Sequence, residues 1–414
     1  MKKILKLILL FGIMGSFALF AQDKRFSIGG YGEILFNHYD YGPNRLASPK
    51  GSLSDSRQTV DLPRFILEFS YNFTKDIMFT TEIEFEHGGT GSALELEYEE
   101  FGEFEMEQEK GGEVVLEQFH ITKSFSKMLN LRVGHFIVGV GQLNKKHLPI
   151  QYFTSSRPEG EQAVIPVTWH ETGIEIFGHI KGFDYRLQMV NGLDANGFSS
   201  ANWIKGGYQK KFELTQATNM AYVLRLEYKG LKGLNIGVSG YYGNTTENIQ
   251  KPDIMKGIDG NVSIGSFHGE YNANNLIVRG HYLYGNLQNS AKISSINRKL
   301  SKNAQYPQTP VAKNAKNYAI EAGYNIAEMV GLRNEKLMPF ARYEYYNSME
   351  DMESGSTPDQ RYKRNVKTFG VNYYPLPNLV IKADYSMREL GGGKYNDENT
   401  FGLSVGFAGR FLSL

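Results

Sequence analysis

From Phe26 to Phe411 the chain breaks into short stretches in which apolar and polar side chains alternate, joined by connections that are in turn very short and long. Each stretch runs for roughly ten residues, the length of a strand that crosses a bilayer with one face toward lipid and the other toward water. Beyond the N-terminal segment no run of about 18 consecutive apolar residues exists, so membrane helices are ruled out; mean hydropathy is −0.39. A soluble all-β protein would bury one face of its sheets and keep aromatics off the other. Here an apolar face persists on strand after strand. The fold class is therefore all-β, a transmembrane antiparallel β-barrel.

With the N-terminus on the periplasmic side, strands are expected near 26–38, 59–73, 77–87, 114–125, 129–139, 171–180, 183–191 and 219–229. The series continues near 234–243, 262–271, 276–286, 317–325, 337–347, 366–374, 379–389 and 399–411. That is about 16 strands, an even count as in bacterial single-chain barrels. The short links, such as Thr74-Lys75-Asp76, Ser126-Lys127-Met128 and Lys181-Gly182, hold turn formers and belong on the periplasmic side. Long links such as Tyr39–Gln58 and Val140–His170 fall on the outside.

Met1–Ala21 has Lys2, Lys3 and Lys6, then the apolar run Ile8–Phe20, then Ala21. A basic start, a short apolar core and a small terminal residue read as a cleaved signal peptide, leaving residues 22–414 as one barrel without a linker. Cleavage removes three of the 45 basic residues and leaves 42 against 44 acidic ones, a charge near −2. A general nucleic-acid binder would show a basic excess, so none is expected as a partner. Cysteine is absent, which excludes disulfide scaffolds and thiolate metal sites. The 26 Tyr, 26 Phe and 45 Gly suit aromatic belts at the two lipid interfaces and tight turns between strands.

Period two assigns faces. Phe401, Leu403, Val405 and Phe407 share one side of the last strand, with Ser404, Gly406 and Arg410 opposite. A charge facing lipid at mid-depth costs about 2–4 kcal/mol. The rule therefore turns Arg64, Arg132, Arg186, Arg225, Arg279, Arg342, Lys382 and Arg388 inward, with Glu68, Glu82, Glu84, Glu175, Asp184, Glu227, Glu321, Glu344 and Asp384. Two readings stand: a charged wall around a water-filled pore, or charges that pair across strands to fill a polar interior. Outside the membrane, the connection between Glu82 and Glu117 is rich in Glu and alternates like a hairpin, whereas Gln288–Lys316 carries six basic residues and no acid. These are solvated faces, a latch between subunits, or a basic mouth that gathers solutes. His170-Glu171 and His268-x-Glu270 each lack a third ligand at a metal-site spacing, and nothing flags a catalytic triad. No cofactor or enzymatic activity is implied.

One region points to a family. Leu129-Asn130-Leu131-Arg132-Val133-Gly134 with Phe136 is followed by Gly141-x-Leu143-Asn144, His147-x-Pro149 and Arg157-Pro158-Glu159. Then come Val164-Ile165-Pro166-Val167-Thr168-Trp169-His170-Glu171-Thr172-Gly173, Tyr185-Arg186-Leu187 and Val190-Asn191-Gly192-Leu193-Asp194. With these motifs Glu117–Asp194 resembles the phosphate-selective porin O/P family of Bacteroidetes-type outer membranes. The resemblance implies a 16-stranded, trimeric porin whose third long loop, here Val140–His170, folds into the lumen. Lys145, Lys146 and Arg157 would then sit at the constriction, and Pro149, Pro158 and Pro166 keep that loop out of the wall. The expected function is passive diffusion of small hydrophilic solutes or ions, with anions such as phosphate among the candidates, across the outer membrane of a Gram-negative bacterium. The interior acids argue for weak selectivity. The alternatives are a structural or adhesive barrel whose loops bind partners, and a barrel enzyme acting on lipid or glycan.

Overall fold

The structure is a computed structural model that describes residues 25–43, 54–89, 93–96, 106–109, 112–166, 168–209, 212–301, 306–353 and 356–414. The leader expected at Met1–Ala21 lies outside the described residues, as do Lys110 and Lys302.

Nineteen strands follow in chain order. The first ten are β1 (Phe26–Tyr41), β2 (Asp55–Asp61), β3 (Arg64–Asn72), β4 (Ile77–Glu86), β5 (Ala93–Leu96), β6 (Met106–Glu109), β7 (Val114–Ser124), β8 (Asn130–Ile137), β9 (His170–Ile180) and β10 (Phe183–Asn191). The rest are β11 (Met220–Tyr228), β12 (Leu234–Asn244), β13 (Asn261–Ala273), β14 (Leu276–Leu287), β15 (Asn314–Tyr324), β16 (Lys336–Asp351), β17 (Lys363–Leu376), β18 (Leu379–Leu390) and β19 (Asp397–Ser413). All pairings within the large sheet are antiparallel. β5 and β6 stand apart as a hairpin in the register Ala93↔Glu109 to Leu96↔Met106, within the acidic connection.

β2 and β3 are two halves of one crossing. Both pair with the same edge of β1, at Leu35↔Asp61 and at Gly32↔Phe65, and the break falls at Leu62-Pro63. Proline has no N–H to give the ladder, so the strand is interrupted there. Counted so, 16 strands form the wall, and β1 pairs with β19 from Ser27↔Ser413 to Tyr41↔Glu398, which closes the barrel. The seam is finished by the Phe26 N–H to Leu414 C=O bond of 3.1 Å and its reciprocal of 2.9 Å.

Turn chemistry accounts for the sharpest reversals. Lys181-Gly182 (φ 48° and 88°) and Asn274-Asn275 (φ 53° and 62°) each join two strands with both residues in the left-handed region. That geometry matches the twist of paired strands, and Asn and Gly tolerate it best. The departures from the expected boundaries are largest at outer ends, where β2 begins at Asp55 rather than near 59 and β16 runs to Asp351 rather than near 347.

Face assignment by period two holds along the wall. In β18 and β19 Ile381, Tyr385, Leu403 and Val405 are exposed on the outer surface, while Lys382, Asp384 and Ser404 are buried inside. Tyr71, Phe73, Phe125, Phe183 and Tyr324 ring the outer surface near the short turns, and Tyr222, Tyr242, Tyr282, Tyr284 and Tyr385 sit higher. Two such aromatic belts flanking an apolar band are what a bilayer requires.

The interior is filled in its upper part by connections that fold inward. Residues 138–169 enter from the end of β8, with one short helix, α1 (Glu159–Gln162). Residues 192–209, after β10, enter beside them. A second helix, α2 (Ser290–Asn297), lies above them, with Ile293, Ser294 and Asn297 buried and Lys292, Arg298 and Lys299 exposed. Together they build a hydrophobic core around Phe136, Val164, Trp169, Phe198, Trp203, Leu283 and Ile293. Among its described residues the basic connection is thus part core, as at Ile293, Asn297, Val311 and Ala312, and part solvated face, as at Lys292, Arg298 and Lys299.

Candidate functional site

The segment 138–169 is first closed on itself. The Asn144 side chain donates to the carbonyls of Val138 (2.6 Å) and Trp169 (3.2 Å) and accepts from the Trp169 N–H, which joins the two stems of the loop. Glu161 of α1 accepts from the N–H groups of Gln142 (2.9 Å) and Asn144 (3.0 Å), which draws the far arm back onto the near one. One Asn and one Glu therefore satisfy five backbone groups of an irregular segment, and backbone bonds such as Val138 N–H to Trp169 O (2.8 Å) pair others at membrane depth.

The closed loop is then tied to the wall around much of its circumference. Lys382 on β18 donates to the carbonyls of Tyr152 and Thr154, both at 3.0 Å, with its ammonium 3.8 Å from the centre of the Tyr152 ring. Next to it Asp384 accepts from the Ser155 N–H. Arg388 grips Glu159 through Nε (3.0 Å) and Nη2 (2.7 Å), and Tyr346 on β16 donates to the same carboxylate at 2.9 Å. Arg279 on β14 donates to the Gln151 carbonyl, and Tyr152 donates to Glu33 on β1 at 2.6 Å. On the opposite side Arg225 on β11 donates to Gly141 O (2.6 Å) and Gly139 O (3.3 Å). Glycine in the wall makes room: a Cβ at Gly323 would run into the Phe153 ring, which itself stacks on Phe340 at 5.2 Å.

All eleven cations singled out in the sequence point inward, but they do different things. Arg64, Arg225, Arg279, Lys382 and Arg388 hold the loop. Arg132 and Arg186 share Glu175 at 2.8 and 2.9 Å, and Arg342 bridges Glu321 and Glu344 at 2.7 Å each. On the loop, Lys145 pairs with Glu227 and Lys146 with Glu270. Arg157 donates to the Thr168 hydroxyl at 2.8 Å, and Arg64 donates to the same oxygen at 3.1 Å. Burial pushes the Lys145 ammonium down to about 8, and Arg225 beside it acts in the same direction. Burial works against Glu159, yet Arg388 prevails and holds that carboxyl below its ordinary value.

Sequence reading missed the second inward segment. Trp203 is fully buried, donates from Nε1 to Ala312 O at 3.0 Å, and lies so close to Gly285 that any Cβ there would overlap its ring. The one signal available was the placement of both Trp residues of the chain, Trp169 and Trp203, in or beside connections where solvated loops have no use for indole. The possible metal pairs come apart: His170 contacts His135 and Tyr208, while Glu171 turns away to accept from Trp169 Nε1 (3.0 Å) and Asn191 (2.6 Å). Among the described residues no group of three or more potential ligands converges.

What stays open is a chain of cavities on the outer side of the loop. The largest, about 600 Å³, lies against β3, β4 and β7 and is lined by Arg64, Glu84, Glu117, Arg157, Thr168 and Tyr208 among others. It meets one of about 250 Å³ at Gln162, Asn202 and Lys205, and that one meets a third of about 310 Å³ at Glu159 and Arg364.

No family model matches the chain. Among solved structures it is similar to OmpF of Salmonella typhi, in complex with daunomycin, with TM-score 0.57 and 14% identity over 93% of this chain and 98% of that one. It is also similar to the outer-membrane channel DcaP of Acinetobacter baumannii, with TM-score 0.54 and 12% identity over 93% and 97%. The anion-selective porin of Comamonas acidovorans gives TM-score 0.51 and 9% identity over 93% and 100%. These likenesses establish the fold as that of outer-membrane porins. In sequence, an uncharacterized protein of Aquifex aeolicus (strain VF5) is 30% identical over 385 residues, spanning 92% of this chain and 79% of that one. The chain belongs to the same family as this Aquifex aeolicus protein.

Proposed function

We propose that the chain is an outer-membrane porin of a Gram-negative bacterium that lets small hydrophilic solutes or ions diffuse passively. Met1–Ala21 serves as its cleaved leader, and the mature chain works as a homotrimer related to the phosphate-selective O/P porins. The observation that carries this reading is the loop 138–169, held across the inside of a closed barrel by Lys382, Arg388, Arg279 and Arg225, with polar cavities left beside it. An adhesive barrel has no need to hold a loop at mid-lumen with so many charges. Lys145, Lys146 and Arg157 lie on that loop, where low-dielectric walls focus the field, and the wall cations Arg64, Arg132, Arg186, Arg225, Arg279, Arg342, Lys382 and Arg388 surround it. Because nearly every one has an acidic or carbonyl partner, selectivity is expected to be weak, phosphate included. A trimer form is described for OmpT of Vibrio cholerae, whose fold this chain shares with TM-score 0.51.

Purified protein in a planar bilayer tests the reading. Stepwise ohmic conductance with a modest reversal potential in a salt gradient is the expected result. A folded protein that does not conduct would favour the adhesive barrel, and near-ideal anion selectivity would show that the cations dominate. Cross-linking in mild detergent should give a trimer; a uniform monomer would refute that part.

A further inference from the structure

The largest cavity has two chemically opposed flanks. On one, Arg64 and Arg157 are brought side by side by a single acceptor, the Thr168 hydroxyl. On the other, β4 and β7 present Glu84, Glu86 and Glu117. Arg64 reaches toward Glu84 at 3.8 Å, longer than a hydrogen bond.

Two atoms in this lining have nothing to bind. Nη2 of Arg157 and Oε1 of Glu117 are both buried, and among the described residues neither has a hydrogen-bond partner. Glu117 is only 1% exposed; Tyr31 reaches its other oxygen at 3.4 Å, and the Glu84 carboxyl lies within hydrogen-bonding reach of Glu117. Leaving a buried polar atom of a charged group unsatisfied is costly, because its desolvation is not repaid. Other buried charged atoms also lack a partner, among them Glu82 Oε2 and the Nε of Arg225, Arg342 and Arg364, but here a donor and an acceptor of opposite sign belong to the lining of one cavity.

The backbone supports the arrangement. Thr168 has φ 45°, a left-handed conformation that a β-branched residue rarely adopts. Such strain persists only where the surroundings impose it. Here it places the one hydroxyl that aligns both guanidinia.

We propose that this cavity is a binding site for zwitterionic solutes, an α-amino acid or a short peptide, whose carboxylate meets Arg157 and whose ammonium meets Glu117 and Glu84. A simple anion would fill only the basic flank and sit against three carboxylates. A simple cation would face the guanidinium pair. A molecule with both signs meets the basic and the acidic flank together. The volume, about 600 Å³, is within the roughly 300–1,000 Å³ of small-molecule sites and takes a dipeptide with some water. The site deepens the porin reading by naming a solute class for it, and a permeant must bind weakly enough to leave.

The test is a ligand-observed NMR titration of the full-length protein in detergent with glycylglycine, N-acetylglycine and glycinamide. Glycylglycine should saturate in the millimolar range, and the two singly charged probes should bind at least tenfold more weakly. Arg157→Gln and Glu117→Gln should each weaken glycylglycine about tenfold while leaving the heat-modifiable gel mobility of the folded barrel intact. Equal binding of N-acetylglycine would reduce the site to an anion site, equal binding of glycinamide to a cation site, and absence of binding by all three would remove it; each overturns the proposal, and none depends on a variant folding. The titration reads binding without current. A barrel that binds but does not conduct would keep this site and lose the porin reading, and one that conducts but does not bind would do the reverse.

Discussion

Replacing Lys382 by Met should loosen the inward loop while leaving the barrel wall in place, because the side chain keeps an unbranched apolar stem and loses the ammonium with its charge and donors. The ammonium is 1% exposed and donates to Tyr152 O and Thr154 O at 3.0 Å. Hydrogen bonds from a charged group contribute about 1.5–3 kcal/mol each, and the Tyr152 ring adds roughly 0.5–2 kcal/mol. Against this, Met removes the cost of desolvating an ammonium, which is several kcal/mol. The net is about 2 kcal/mol in favour of the anchored loop, or roughly 30-fold in the ratio of anchored to released states. Single-channel recording reads that ratio directly, as dwell time in a higher-conductance sublevel, and K382M should lengthen the relative dwell by about that factor. Lys382→Arg, which keeps the charge and its donors, should restore most of it. Sublevel occupancy unchanged within threefold in folded K382M protein would show that the loop does not depend on this anchor.

Excising Thr154–Ala163 with a short Gly/Ser bridge removes the Asp384, Arg388 and Glu161 contacts together and should raise both conductance and the size limit for sugars. Unchanged values in a folded variant would mean that another segment sets the aperture. Because the Glu159 carboxyl is held low, its pairing with Arg388 is fully present above the ordinary carboxylate pKa of about 4.3 and is lost as pH falls through the depressed value. Current noise should therefore rise below about pH 4; Arg388 and Arg364 around it keep their charge there and the Tyr346 phenol stays neutral, and Glu159→Gln should show the same noise already at pH 7, whereas a quiet variant would refute the assignment. Trp203→Ala empties a fully buried site and should cost about 3–5 kcal/mol locally, read as faster tryptic cleavage at Lys205; wild-type resistance would show that the second loop does not need its indole.

The wall was legible because strand physics is local. Alternation with period two, Asn and Gly at two-residue turns and the high cost of charge in lipid determine each crossing without knowledge of the others, and β10 runs over the very residues expected. Even the acidic connection revealed its hairpin, since Glu95 and Glu107 face each other in register. The inward charges were legible only as a set. Whether Arg388 would line water or grip Glu159, 229 positions earlier, is a question of long-range contact, and no spacing in the sequence carries it. The same holds for Trp203 against Gly285, a match of a large ring to a missing side chain across two distant segments.

That division of labour among the cations suggests where solutes travel. The loop is fastened toward β1 by Glu33, toward β14, β16 and β18 by Arg279, Tyr346, Lys382 and Arg388, and toward β11–β13 by Arg225, Ser239 and Glu270. A charge already satisfied by a backbone carbonyl or a carboxylate has little left to offer a passing ion, since its field is largely spent within the pair. The strands β4 and β7 face the large cavity instead, and it is there that Arg157 and Glu117 keep unsatisfied atoms. On the proposed reading, solutes would pass on the β3, β4 and β7 side, where the open space lies and where Arg64 both holds the loop and lines the cavity, whereas the anchors on β11–β18 leave less room beside the loop.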